Sequence, residues 1–117
     1  MEAFGAMLTV TPEVIAGMVD ALVREIDPQR IYLFGSRARG AAGEPSDTDL
    51  LIVEREAFGP ERSRLQELRR IRKALSPFKT PKDVLVYSED ELAEWSDSIN
   101  HVIGTCLREG VLLYARQ

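Results

Sequence analysis

The chain has 117 residues, of which 44% are hydrophobic and 29% are charged, and its formal net charge is -4. This length and composition fit one globular domain and argue against a general nucleic-acid-binding protein, which would usually be basic. The single cysteine, Cys106, excludes an internal disulfide and favours a reducing cytoplasm, and no apolar run approaches the roughly 20 residues of a membrane span. We therefore expect a cytoplasmic protein without membrane contact or direct nucleic-acid contact.

The first half of the chain predicts one long helix and two buried strands. The sequence Thr11-Pro12-Glu13 has the pattern of a helix start, and apolar residues then recur at helical spacing as far as Ile26. A short strand is predicted from Ile31 to Phe34 and a second from Asp49 to Val53, whose apolar run LLIV indicates burial on both faces. A short helix is predicted between these strands, over residues 37–42.

The second half predicts a further alternation of helices and strands. We expect Gly59-Pro60 to begin a second long helix and residues 76–81 to form a loop. Ser88 followed by three acidic residues has the pattern of a helix cap. The remaining predicted elements are a strand from Asp83 to Tyr87, a helix from Ile99 to Leu107 and a strand from Val111 to Ala115.

This alternation predicts an α/β or α+β fold, in which helices pack on a sheet. We expect a single domain over residues 1–117, with residues 1–10 as a candidate flexible N-terminal arm.

A candidate anion site follows the first predicted strand. Gly35 lets a ligand approach the backbone, and a helix beginning just after it would direct free N–H groups at that ligand. The hydroxyl of Ser36 and the guanidinium groups of Arg37 and Arg39 suit phosphate oxygens. These four residues are our predicted nucleotide-binding set, although the two arginines could equally be surface charges.

Asp49 begins the second predicted strand and Asp47 stands two residues before it, and the alternation of side chains places them on the same side of the chain. Two ionised carboxylates so close repel each other unless a cation lies between them, and Mg²⁺ prefers hard oxygen ligands of this kind. Asp83 begins a later strand and would complete a two-metal site if the two strands are neighbours, also serving as a base for the attacking hydroxyl. The alternatives are turn or cap residues for Asp47 and Asp49, and a solvated strand end for Asp83.

The combination of GSRARG, SDTDLLIV and DVLVY resembles the minimal nucleotidyltransferases of the DNA polymerase β-like nucleotidyltransferase superfamily, over residues 11–115. The resemblance implies a nucleotidyltransferase fold, a mixed central β-sheet flanked by α-helices. It implies metal ligation by Asp47, Asp49 and Asp83, two Mg²⁺ ions, and ATP as the substrate. It also implies a partner, a toxin with a HEPN domain, which such antitoxins modify by transferring AMP to a tyrosine.

The leading hypothesis is therefore a Mg²⁺-dependent nucleotidyltransferase that modifies a toxin partner. One alternative is an antitoxin that neutralises its partner by occlusion without catalysis. Another is a nucleotidyltransferase with a small-molecule acceptor, which would need a pocket beside Asp83 or a homo-oligomer that forms one. The segment from Arg62 to Lys82 carries an excess of six positive charges, which indicates either a solvated helix face or a docking surface for an acidic partner or RNA.

Overall fold

The computed structural model describes residues 11–34, 48–79, 82–95 and 102–116. The predicted arm (1–10) and the predicted short helix (37–42) lie outside these residues. No helix in the described part of the chain is long and apolar enough to cross a membrane. Its elements, in chain order, are α1 (Pro12–Ile26), β1 (Arg30–Phe34), β2 (Thr48–Glu54), α2 (Arg64–Leu75), β3 (Lys82–Ser88), α3 (Glu89–Trp95), α4 (Val102–Glu109) and β4 (Val111–Ala115).

The four strands form one mixed sheet in the order β3-β2-β1-β4. β1 is antiparallel to both β2 and β4, whereas β2 is parallel to β3. A parallel pair needs a crossover between its strands, and α2 lies in that connection. The mixed sheet with helices confirms the predicted α+β fold class.

β2 is the strand around which both layers of the core are built. Leu50 and Ile52 pack on the side that α1 and α2 cover, among fully buried residues such as Met18 and Ile71. Leu51 and Val53 pack on the other side, against Leu92 of α3 and Leu107 of α4. All four apolar residues of LLIV are 0% exposed, which confirms the predicted burial on both faces.

Two helix starts follow directly from local hydrogen bonding. The hydroxyl of Thr11 accepts a hydrogen bond from the backbone N–H of Val14 at 3.2 Å, as its position before Pro12 predicts. At α3 the backbone N–H of Glu91 donates to the Ser88 hydroxyl, and the Ser88 N–H donates in return to the Glu91 carboxylate. This reciprocal capping box satisfies two backbone donors at once.

The start of the second long helix was predicted wrongly. Gly59 and Arg62 exchange backbone hydrogen bonds of 3.0 and 3.1 Å, which closes a tight turn where the helix was expected to begin. The helix starts at Arg64, because the hydroxyl of Ser63 caps it by accepting from the Gln66 N–H at 3.2 Å. The Gly-Pro pair therefore marks the turn before the cap rather than the cap itself.

A buried ionic cluster occupies the C-terminal end of β2. The carboxylate of Glu54, in a residue only 4% exposed, accepts a hydrogen bond from the Arg62 guanidinium, which also lies 3.5 Å from the buried Glu67 carboxylate. Burial, with a smaller contribution from the neighbouring Glu67, raises the pKa of Glu54 to about 7 against the opposing effect of Arg62. Glu67 is held in turn by Arg70, at 3.2 Å.

This cluster predicts an unusual pH dependence of stability. Because the pKa of Glu54 rises from 4.5 to about 7 on folding, the folded protein binds a proton more strongly than the unfolded chain between these values. The resulting stabilisation is fully present below pH 4.5 and is lost as the pH rises through 7. We expect urea unfolding to show a loss on the order of 3 kcal/mol across this range, which Glu54→Gln removes.

The exposed residue Glu61 supplies the matched control, because it lies in the neighbouring turn. Glu61→Gln should keep the full pH dependence. An equal slope in wild type and Glu54→Gln would show that Glu54 is not the group responsible.

Candidate functional site

Three strand ends meet at the opposite end of the sheet from Glu54. Asp49, the second residue of β2, pairs with Asp83, the second residue of β3, in the parallel ladder. On its other side Asp49 pairs with Phe34, the last residue of β1, in the antiparallel ladder. The strands that carry Asp49 and Asp83 are therefore neighbours, as the predicted two-metal site requires.

The two carboxylates share one face of the sheet. Asp49 alternates with Leu51 and Val53 along β2, while Asp83 alternates with Leu85 and Tyr87 along β3, and all four of these hydrophobic residues pack on the α3–α4 side. Neighbouring strands lie about 4.8 Å apart, so two residues in register on one face can share a cation. Asp83 is exposed and Asp49 is partly buried, which leaves the pair accessible to a ligand.

Five of the predicted site residues lie outside the described part of the chain. They are Gly35, Ser36, Arg37, Arg39 and Asp47. In the sequence, Gly35 directly follows Phe34, and Asp47 stands two residues before Asp49. The anion-binding segment and the third carboxylate therefore remain predictions.

The chemistry of the described donors fits a hard divalent cation. Two carboxylates in register on adjacent strands repel each other when both are ionised, and a cation between them removes that repulsion. Carboxylate oxygens are the ligands that Mg²⁺ prefers, and Mg²⁺ keeps coordination positions for phosphate oxygens. Within the described residues no group of three acidic, histidine or cysteine side chains could hold a metal, and Asp47, the predicted third carboxylate, lies outside them.

A cavity of about 270 Å³ borders Asp83 on the side of α2. Arg72 and Ser76, one turn apart near the end of α2, line it together with Lys82. Burial lowers the pKa of Lys82, the charge of Lys79 lowers it further, and its ammonium group donates to the carbonyl of Phe78. Sequence patterns did not indicate that these side chains lie near Asp83, although the spacing of Arg72 and Ser76, followed by a short loop, was a usable signal.

Arg62 and Arg64 form a cluster around Phe58 that has a structural role. The ring of Phe58 lies between the guanidinium groups of Arg62 and Arg64, at 4.4 and 4.6 Å from its centroid. Arg64 also donates to the Val86 carbonyl and to the Glu91 carboxylate, which ties α2 to β3 and α3. Burial acts to raise the pKa of Glu91, but the hydrogen bonds from Arg64 and Ser88 outweigh it, so the pKa is lowered.

Comparison with protein families identifies the domain. The family model described as "Nucleotidyltransferase domain" matches residues 15–109, which is most of the chain. The chain belongs to this nucleotidyltransferase family. A comparison of the sequence with curated proteins gave no match.

Solved structures show the same nucleotidyltransferase fold. A toxin–antitoxin with AMP-PNP is 21% identical with a TM-score of 0.61, over 87% of this chain and 73% of that chain. A putative nucleotidyltransferase from Sulfolobus solfataricus is also 21% identical with a TM-score of 0.61, over 89% and 79%. A mutant of the toxin–antitoxin MntA-HpeT is 19% identical with a TM-score of 0.57, over 86% and 71%.

The paired aspartates predict a metal-dependent change in stability that does not depend on activity. At a Mg²⁺ concentration ten times the dissociation constant, binding should stabilise the folded protein by about 1.4 kcal/mol and raise the Tm by about 6 °C. Asp49→Asn and Asp83→Asn should each abolish this shift in a thermal melt. The control is Asp20→Asn, an exposed aspartate on α1. A shift that persists in both site variants would exclude these carboxylates as ligands.

Proposed function

We propose that this nucleotidyltransferase is a Mg²⁺-dependent protein adenylyltransferase, which transfers AMP from ATP to a tyrosine of a HEPN-domain toxin and thereby acts as its antitoxin. The observation that carries the proposal is the register of Asp49 with Asp83 on the accessible end of the sheet. In a nucleotidyltransferase domain, such a carboxylate pair is suited to hold metal ions between a triphosphate and an attacking hydroxyl.

The similar solved structures support ATP as the nucleotide and a toxin as the partner. One is a toxin–antitoxin with AMP-PNP, an ATP analogue. The MntA-HpeT mutant replaces two aspartates, one residue apart, by glutamates. Asp47 and Asp49 have the same spacing in this chain. These likenesses favour ATP and a toxin as the two substrates.

Each predicted residue has a distinct task in this reaction. Asp47, Asp49 and Asp83 would hold the two Mg²⁺ ions, which when bound neutralise phosphate charge and make the acceptor hydroxyl easier to deprotonate. The backbone of Gly35 and the Ser36 hydroxyl would hold the triphosphate, with Arg37 and Arg39 on its outer oxygens.

The bond changes in the transfer balance without a further reactant. The hydroxyl oxygen of the acceptor forms a bond to the α-phosphorus of ATP while the bond to the β-phosphate oxygen breaks, and pyrophosphate leaves. Asp83 would take the hydroxyl proton, and its exposure allows the proton to pass to solvent afterwards.

The test combines ATP labelled on its α-phosphate, Mg²⁺, and the product of the neighbouring gene if it encodes a HEPN-domain protein. We expect label on a tyrosine of that protein, and a rate at least about 10³-fold lower for Asp49→Asn or Asp83→Asn, because each change removes a metal ligand. Asp20→Asn should retain the wild-type rate. Transfer that survives both site variants would contradict the proposal.

Two other outcomes would support the alternative functions. If Asp47→Asn with Asp49→Asn still neutralises the toxin in a tight complex, the protein acts by occlusion. If label instead appears on a free hydroxyl compound and never on protein, the acceptor is a small molecule.

A further inference from the structure

The outward face of α2 carries a row of exposed cations. Arg69, Arg72 and Lys73 are exposed and lie within one turn of each other, and Lys79 continues the row beyond the end of the helix. The helical period of 3.6 residues places the first three on one side of α2, opposite the buried Ile71 and Leu75. We call these four residues the α2 stripe.

Three other arginines between residues 62 and 82 form ion pairs within the domain, whereas the α2 stripe does not. Arg62 pairs with Glu54, Arg64 pairs with Glu91, and Arg70 pairs with both Glu67 and Glu25. Across the described residues, the side chains of these four cations form no hydrogen bond or ion pair, and the backbone carbonyl of Lys73 accepts from Ser76. A chain of net charge -4 therefore presents a concentrated positive surface at one helix face.

This arrangement carries a local energetic cost. Arg69 has like-charged neighbours at both i+3 (Arg72) and i+4 (Lys73), and like-charged pairs at these spacings weaken a helix. Exposed cations this close to one another are an unfavourable feature that negative charges on a partner would relieve. The surface is thus complementary to an acidic partner.

The C-terminal end of the α2 stripe lies beside the edge strand β3, which carries Asp83, although the Asp83 carboxylate lies on the opposite, α3–α4 side of the sheet. Arg72 belongs to the stripe and also lines the 270 Å³ cavity that Asp83 borders. At the other end of α2, Leu65 is 55% exposed on the same side of the helix. The surface therefore runs about 11 Å along α2, from Leu65 to Arg72 beside the β3 edge.

We propose that the α2 stripe docks an acidic surface of the acceptor protein and so brings its hydroxyl to the Asp83 edge. This proposal rests on the proposed function, since it assumes a protein acceptor. The complementary partner surface carries at least three carboxylates along about 11 Å, as a helix with acids at i, i+4 and i+7 would, with an apolar residue for Leu65.

A protein fits the α2 stripe better than a nucleic acid. The chain as a whole is acidic, which would repel a long polyanion. Leu65, at the end of the stripe, offers an aliphatic contact, whereas single-stranded nucleic acids bind on aromatic stacking platforms. The described residues on this face of α2 include no aromatic side chain.

The experiment measures binding and transfer separately, with the HEPN-domain product of the neighbouring gene as the acceptor. The test variant changes Arg69, Lys73 and Lys79 to Gln together, and a control with the same change in charge replaces three exposed arginines elsewhere, Arg24, Arg55 and Arg108. We expect the stripe variant to raise the calorimetric dissociation constant at least about 10-fold and the control less than about 2-fold. In the transfer reaction, KM for the acceptor should rise similarly while kcat is retained.

The outcomes separate the docking surface from the catalytic proposal. Unchanged binding by the stripe variant, or no binding by wild type, overturns the docking surface, whatever the transfer rate. If the wild type binds the acceptor through the α2 stripe but transfers no AMP to it, the docking surface is supported and the adenylyltransferase activity is contradicted. Stripe-dependent binding of a 20-nucleotide RNA but not of the protein would overturn the proposal in favour of a nucleic-acid surface.

Discussion

The parallel pairing of β2 with β3 is the constraint on which the candidate site depends. The ladder runs without interruption from Thr48 opposite Lys82 to Glu54 opposite Ser88, and this register alone places Asp49 beside Asp83. A slip of β2 by one residue would turn Asp49 toward the core beneath α1 and α2, where an ionised carboxylate without a partner is costly. The same slip would move apolar side chains of β2 to the wrong layers. The packing that stabilises the sheet thus also holds the two aspartates in register.

β2 carries a carboxylate near each end, and the two carboxylates have different surroundings. At its C-terminal end, Glu54 is buried against Glu67, and Arg62 is the fixed cation that makes this acidic pair tolerable. At its N-terminal end, Asp49 faces Asp83 at the accessible rim of the sheet. An internal arginine suits a permanent structural cluster, whereas an accessible carboxylate pair suits an exchangeable metal ion and the phosphates that accompany it.

α2 lies in the connection between β2 and β3. One side of the helix packs in the core, and the opposite side carries the residues of the proposed docking surface. Its inner side contributes Ile71 and Leu75 to the core, and Arg64 near its start ties β3 and α3 to it. Its outer side carries the α2 stripe, which contributes nothing to these contacts. The docking surface could therefore diverge between homologous domains without loss of the fold, because the residues that recognise and the residues that pack occupy opposite sides of one helix.

Local hydrogen bonding and periodicity let the sequence by itself determine the Thr11 cap, the Ser88–Glu91 capping box and the burial of LLIV. The start of α2 was missed because the turn between Gly59 and Arg62 competes with the helix for the same residues. Asp83 could be named as a third acidic residue, but its position opposite Asp49 depended on strand order, which no local pattern specifies. Likewise, the sequence showed the positive excess between Arg62 and Lys82, whereas only the tertiary structure decided which cations remain unpaired. The partners of Arg64 and Arg70, Glu91 and Glu25, lie 27 and 45 residues away along the chain and meet them only when the sheet and helices assemble.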